Sequence, residues 1–189
     1  MPGLDHFSFI APYYDRVIRL HTAERIIELA GLPIDGGLLD AGGGTGRVAQ
    51  ALHDHAGWLV VVDLSLGMLQ QASTKHRLSS VCSPTEQLPF PDATFERIIM
   101  VDALHHVIDH GATARELWRV LKAGGRILIE EPDIRTFSVK LVALAEKLAL
   151  MRSHFISPSR IAGLFPYPEA RLRVERDGFN AWIVVDKCA

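Results

Sequence analysis

The sequence predicts an α/β protein whose parallel sheet carries helices on both faces, and three observations lead there. Short apolar runs alternate with segments of helical periodicity. Several runs, among them Trp58 to Val62 and Ile98 to Val101, are apolar throughout, as strands covered on both faces must be. The first run, Leu38-Leu39-Asp40, opens into Ala41-Gly42-Gly43-Gly44-Thr45-Gly46-Arg47, a strand, a glycine turn and a helix start in immediate succession.

Taken in order, Val17, Ile18, Leu20, Ile26, Ile27 and Leu29 fall at helical spacing between Tyr13 and Ala30, and Gly31 and Pro33 stop that segment. Strand one is Gly37 to Asp40, followed by the glycine turn and a helix through about His55. Strand two, Trp58 to Asp63, ends in a second carboxylate, and Ser65 is a suitable N-cap for a helix holding Met68, Leu69 and Ala72. A short strand near Val81 leads into the loop Pro84 to Asp92. Strand four, Phe95 to Val101, breaks at Asp102-Ala103-Leu104-His105-His106. A helix from about Ala112 to Leu121 is expected to stop at Gly124-Gly125, with strand five over Arg126 to Glu130. Beyond it, Phe137, Leu141, Leu144, Leu148 and Met151 mark one face of a long helix, and Pro158 to Phe165 a short one. Arg171 to Glu175 and Asn180 to Val185 are expected to form a hairpin joined through Asp177-Gly178. The fold class is therefore five parallel strands plus a C-terminal antiparallel hairpin, with helices on both faces.

Bulk properties exclude several classes of function. At 189 residues the chain is one domain, able to bury a real core. A formal net charge of −2 offers no electrostatic footprint for nucleic acid. The apolar runs are strand-sized and too short to cross a bilayer, and Met1-Pro2-Gly3-Leu4-Asp5 lacks a signal-peptide pattern. Two cysteines, Cys82 and Cys188, form neither a disulfide framework nor a paired metal motif, so a cytoplasmic location is expected.

Ligands of open α/β sheets bind outside the carboxyl ends of the strands, where strand order reverses. The residues that end the strands are therefore the informative ones. Glycines let a ligand approach the backbone, and the first free N–H groups of the following helix point towards it. Asp63 lies 23 residues beyond Asp40, placed to accept hydrogen bonds from both hydroxyls of a ribose. A dinucleotide competes, since Gly44-Thr45-Gly46-Arg47-Val48-Ala49 fits a permissive GxGxxA pattern. Asp40 at the mouth of the turn would face a pyrophosphate unfavourably but suits a cationic amino group. An amino-acid end, a ribose and a base together point to S-adenosylmethionine.

Five segments carry a family resemblance. They are Leu39 to Gly46; Val62-Asp63-Leu64-Ser65-Leu66-Gly67-Met68-Leu69; Glu86-Gln87-Leu88-Pro89-Phe90-Pro91-Asp92-Ala93-Thr94-Phe95; Asp102-Ala103-Leu104-His105-His106-Val107; and Glu116 to Gly125. In this order the chain resembles a class I S-adenosylmethionine-dependent methyltransferase of the type-11 group, which includes quinone-biosynthesis C-methyltransferases. The resemblance implies a Rossmann-like methyltransferase sheet and a single domain over 1–189, with an N-terminal helical lid (1–33), a cofactor-binding core (34–135) and C-terminal helices and hairpin (136–189). It implies that Asp40, Gly42, Gly44 and Gly46 hold the methionine end of the cofactor, Asp63 its ribose, and Leu64 and Met68 its adenine. Tyr14 falls in the lid segment, and Thr85 and Asp102 complete the candidate cofactor set. Many relatives place an acidic residue where this chain has Pro84, so adenine recognition must fall to neighbours such as Thr85 or Ser83.

The implied reaction is methyl transfer to a small-molecule acceptor on O, C or N, releasing S-adenosylhomocysteine. A base is needed only where the acceptor must lose a proton. His105, His106 and Glu131 are the candidates, with His110 and His154 behind them. No metal site is expected, no membrane span, and a monomer or homodimer. A protein that binds the cofactor without catalysis, or an NAD- or nucleotide-sugar-dependent enzyme, would share the same glycine turn.

Overall fold

The computed structural model describes residues 23–133 and 154–189. The elements are α1 (Ala23–Ala30), β1 (Gly37–Ala41), α2 (Arg47–Leu52), β2 (Trp58–Asp63), α3 (Leu66–Ala72), β3 (Ser79–Cys82), β4 (Phe95–Val101), α4 (His110–Val120), β5 (Leu121–Pro132), α5 (Pro158–Ala162), β6 (Ala170–Asp177) and β7 (Asn180–Lys187). The seven strands form one sheet in the order β3-β2-β1-β4-β5-β7-β6. The first five run parallel, and β7 is antiparallel to both β5 and β6. Tyr14, the first part of the expected N-terminal helix and the apolar stripe from Phe137 to Met151 lie outside the described residues.

Alternation along the strands divides the core in two. Leu39, Val60, Val62, Ile98, Met100, Ile127, Ile129, Ile183 and Val185 face α4 and α5. Leu38, Val61, Ile99, Leu128, Trp182 and Val184 face α1, α2 and α3. Both faces of the central strands are covered, which is why these runs are apolar without interruption. At the amino ends of the strands, the Arg97 Nε donates to the Ala30 carbonyl at 2.7 Å and Arg126 Nη1 to that of Leu29 at 2.9 Å. Two guanidiniums thus satisfy carbonyls that the last turn of α1 leaves unpaired.

One boundary differs from the sequence expectation. Helix α4 ends at Val120, and β5 begins at Leu121, which pairs with Phe95. The next pair is Arg126 with Arg97, so Lys122 to Gly125 form a bulge within the strand, with Gly124 at φ 76°. The glycines accommodate this extra chain and do not terminate the helix. At the other end, the hairpin turns through Gly178 and Phe179, with Asp177 paired to Asn180, and both its strands run longer than expected. Among the described residues no helix is long and apolar enough to cross a membrane.

Candidate functional site

The order β2-β1-β4 puts the chain reversal at β1, and a cleft of about 670 Å³ opens there at the carboxyl ends of the strands. Its floor is the turn between β1 and α2. The Gly42 and Gly43 N–H groups both donate to the Val62 carbonyl, at 2.7 and 3.1 Å, holding the turn against β2. Gly42 has φ 71°, and a Cβ there would come within 2.7 Å of the Ala103 Cβ. Gly44 has φ 55°, and a Cβ would project into the cleft with only Asp63 Oδ2 and Met68 Sδ nearby, each at 3.9 Å. Glycine is required at both positions, for close packing at the first and for access at the second. Gly46 stands behind the wall. It heads α2 and abuts Leu78 and Ala72, outside the cleft lining.

Two carboxylates flank this turn. Asp40 is 1% exposed, and its Oδ2 has no hydrogen-bond partner among the described residues. Burial pushes its carboxyl up to about 7, the Asp63 charge adds to that, and a backbone hydrogen bond from Ala49 with the Arg47 and Lys75 charges acts against it. Asp63 accepts from the Gly44 N–H at 2.9 Å through Oδ2 and from the Ser65 N–H at 2.8 Å through Oδ1. It therefore joins the glycine turn to the start of α3, where Ser65 caps the helix by accepting from the Met68 N–H. Met68 is buried beside the cleft, whereas Leu64, 67% exposed, forms its rim.

The lip after β3 comprises Ser83, Pro84, Thr85 and Glu86. Both hydroxyls there already make a hydrogen bond within the protein. Ser83 Oγ donates to the Gln87 carbonyl at 2.8 Å, and Thr85 Oγ1 lies 3.0 Å from Thr113 Oγ1. Across the cleft, Met100, Val101, Asp102, Ala103, His106, Val107 and Ile108 make a mainly apolar wall. Asp102 adopts φ 55°, which is uncommon for a residue with a Cβ and is held by its N–H donating to the Glu130 carbonyl at 3.0 Å.

The three residues considered as bases separate into two settings. His106 lines the cleft, and burial with the neighbouring His105 lowers its imidazole to about 3, leaving it neutral near neutral pH. His105 and Glu131 are buried behind the wall. Glu131 Oε1 accepts from the Ala103 and Leu104 N–H groups at 3.0 and 2.6 Å, and Oε2 lies 2.7 Å from His105 Nδ1. The other face of His105 stacks on Phe155, with centroids 4.4 Å apart. Glu131 thus holds the turn that carries His106. Glu130, also buried, is pushed up to about 7 by burial and then by the charges of Asp102 and Glu131, against a hydrogen bond from Asn180. His110 faces Leu104 and Glu131, and His154 donates its N–H to the His105 carbonyl at 2.6 Å. Neither lines the cleft.

Sequence reasoning did not single out Arg47, Val48, Met100, Val101 or Ile108, all of which line the cleft. Arg47 carried a signal. A cation in the first turn of a helix opposes the macrodipole and calls for a reason, and here its Nε is buried without a partner among the described residues. Among those residues no group of three or more His, Cys, Asp or Glu could hold a metal ion.

A family profile described as a methyltransferase domain matches residues 39–129, a span that includes every strand end lining the cleft. The chain is 30% identical over 145 residues to a demethylmenaquinone methyltransferase of Mycolicibacterium vanbaalenii, covering 77% of this chain and 60% of that one. It is 31% identical over 175 residues to the ubiquinone/menaquinone biosynthesis C-methyltransferase UbiE of Shewanella frigidimarina, covering 82% and 66%. The chain thus spans less than two thirds of the length of these relatives. Among solved structures it resembles the YcgJ protein of Bacillus subtilis, with TM-score 0.72 and 25% identity, over 82% of this chain and 70% of that one.

Proposed function

We propose that this chain, whose residues 39–129 match a methyltransferase domain profile, binds S-adenosylmethionine in the cleft and transfers its methyl group to a small-molecule acceptor. The observation that carries the reading is the pair of carboxylates flanking an open glycine turn. Asp40 offers the amino group of the methionine end a buried oxygen that has no partner among the described residues. Gly44 leaves vacant the space that a side chain would occupy, so the cofactor's backbone-facing edge can lie against the turn. Asp63, oriented by the Gly44 and Ser65 N–H groups, sets its carboxylate where the ribose hydroxyls would lie. Met68 and Leu64 supply apolar surface next to it.

The bound sulfonium supplies an already activated methyl group. What remains for this chain is to orient the acceptor in line and to exclude water. The apolar wall of Met100, Val101, Ala103, Val107 and Ile108 suits a flat, largely apolar acceptor. The names of the quinone methyltransferase relatives point the same way, and that of UbiE to a carbon acceptor. His106 and Asp102 are the side chains on that wall able to accept a proton, and Glu131 with His105 holds the turn that carries His106. At about 3 its imidazole is a weak base, so an acceptor that is already acidic fits it better than a simple alcohol.

Thermal-shift and titration measurements with S-adenosylmethionine, S-adenosylhomocysteine and NAD test the donor. Stabilisation by the first two and none by NAD is expected, and the reverse pattern overturns the assignment. Incubation with a panel of demethylated quinones and phenols then tests transfer. Cofactor binding with no methylated product from any acceptor would favour a binding protein without catalysis.

A further inference from the structure

β6 is an outer strand of the sheet, and among the described residues no strand pairs with its free edge. Its backbone groups alternate in direction. The Cys188 N–H donates to the Glu169 carbonyl at 2.9 Å, whereas the Ala170 N–H turns to the Tyr167 carbonyl at 3.0 Å. Opposed residues of an antiparallel ladder are bonded and non-bonded in turn. Carried along the register of β6 on β7, this commits the backbone of Arg171, Arg173, Glu175 and Asp177 to β7. Leu172, Val174 and Arg176 turn their N–H and C=O groups outward. Such an edge is a template for another strand, and charged side chains are the usual means of blunting it.

The charges on β6 have an order that a second copy can match. One face of the strand carries Arg171, Arg173, Glu175 and Asp177, cations first and anions after. When two such strands run antiparallel about Val174, Arg171 stands opposite Asp177 of the second copy, and Arg173 opposite its Glu175. On the other face Leu172 and Val174, 44% and 39% exposed, meet their counterparts across the centre. Arg176 lies opposite Leu172, which its aliphatic stem can cover. Centring the pairing on Leu172, Arg173, Glu175 or Arg176 instead sets like charges opposite each other, which destabilises a strand pair. We propose that β6 is the interface between two copies of this chain, joined antiparallel about Val174 into one continuous sheet. Glu175 already binds Arg25 and Arg173 of its own chain, so the Arg173 of the second copy extends an existing ion-pair group. The two-fold axis stands normal to the sheet, and the two clefts therefore open at opposite ends of the dimer.

Sedimentation velocity over a concentration series tests this. A strand edge is a small contact beside the about 1,200–2,000 Å² of a standard interface, so dissociation in the micromolar range is expected. It should weaken several-fold as salt is raised and the charge pairs are screened. Val174→Pro removes an N–H that β7 does not use, so thermal unfolding should show the fold retained while dimerisation weakens roughly tenfold or more. Arg171→Asp and Asp177→Arg each set like charges opposite each other and should leave the chain monomeric. Mixed in equal amounts, these two variants oppose unlike charges again and should form a heterodimer, a recovery that damage to the fold could not produce. If Val174→Pro does not fold, the charge exchange alone decides. A wild-type chain that stays monomeric at low salt to about 500 µM, well above the micromolar range expected of so small a contact, overturns the proposal. So does a dimer that survives both charge variants, or a mixture of the two that fails to associate.

Discussion

Asp63 organises the cleft before any ligand arrives, because its two oxygens already hold the Gly44 and Ser65 N–H groups. Asp63→Ala should therefore weaken cofactor binding by roughly 1.5–3 kcal/mol for each charged hydrogen bond lost to the ribose. Titration calorimetry measures it, and an unchanged dissociation constant would refute the ribose assignment. Asp40 responds differently. Its carboxyl sits at about 7 in the fold and near the ordinary 3.8 when exposed, so between those values the folded chain holds a proton that the unfolded chain releases. Its contribution to stability is complete at low pH and is lost as pH rises towards 7. Asp40→Asn removes that loss. Relative to wild type it should gain stability as pH rises from about 4 to 7, most clearly by urea unfolding at pH 8. The same variant should bind cofactor poorly, and wild-type affinity should itself increase as pH rises through 7, where Asp40 ionises. His106, lowered to about 3, works in the opposite sense, adding stability as pH rises from 3 to 6.5. The difference between wild type and Asp40→Asn isolates the aspartate.

At the scale of elements, the turn after β4 depends on one side chain. Glu131→Ala leaves two backbone N–H groups and the His105 imidazole buried without their acceptor and should cost about 3–5 kcal/mol in urea unfolding. Glu131→Gln keeps an acceptor oxygen and should cost about 1–3 kcal/mol. Gly42→Ala, with its Cβ driven against Ala103 at positive φ, should destabilise by about 1–3 kcal/mol and narrow the cleft. These elements differ in how well the sequence shows them. Strands such as Val60-Val61-Val62 are legible because burial on both faces demands an uninterrupted apolar run, and Asp40 and Asp63 because each ends one. Gly124-Gly125 misleads because a glycine pair after a helix has two uses, as a stop or as a bulge, and only the pairing of Leu121 with Phe95 distinguishes them. The sequence offers Glu131 as a candidate base, but its tethering of the turn leaves no local trace. Its partners lie 26 to 28 residues away, and a bond between a carboxylate and a distant backbone N–H imposes no periodicity. Glu86 is invisible as a tether to Ile108 for the same reason.

For the whole molecule, the two half-cores meet at strands shared by both, and Trp182 on β7 is the largest of the fully buried side chains. Trp182→Ala should lose about 3–5 kcal/mol and lower the thermal midpoint by roughly 10 °C, which calorimetry would show. The position of β7 has a further consequence. It follows every other strand in chain order, yet it is inserted between β5 and β6. As the polypeptide leaves the ribosome, β5 waits with an open edge and an uncovered apolar face until residues 180–187 are made. The hazard of misassembly thus lasts until β7 emerges. A chain whose synthesis stops before residue 180 lacks the strand that joins β5 to β6, and such a chain is a substrate for chaperones and proteases.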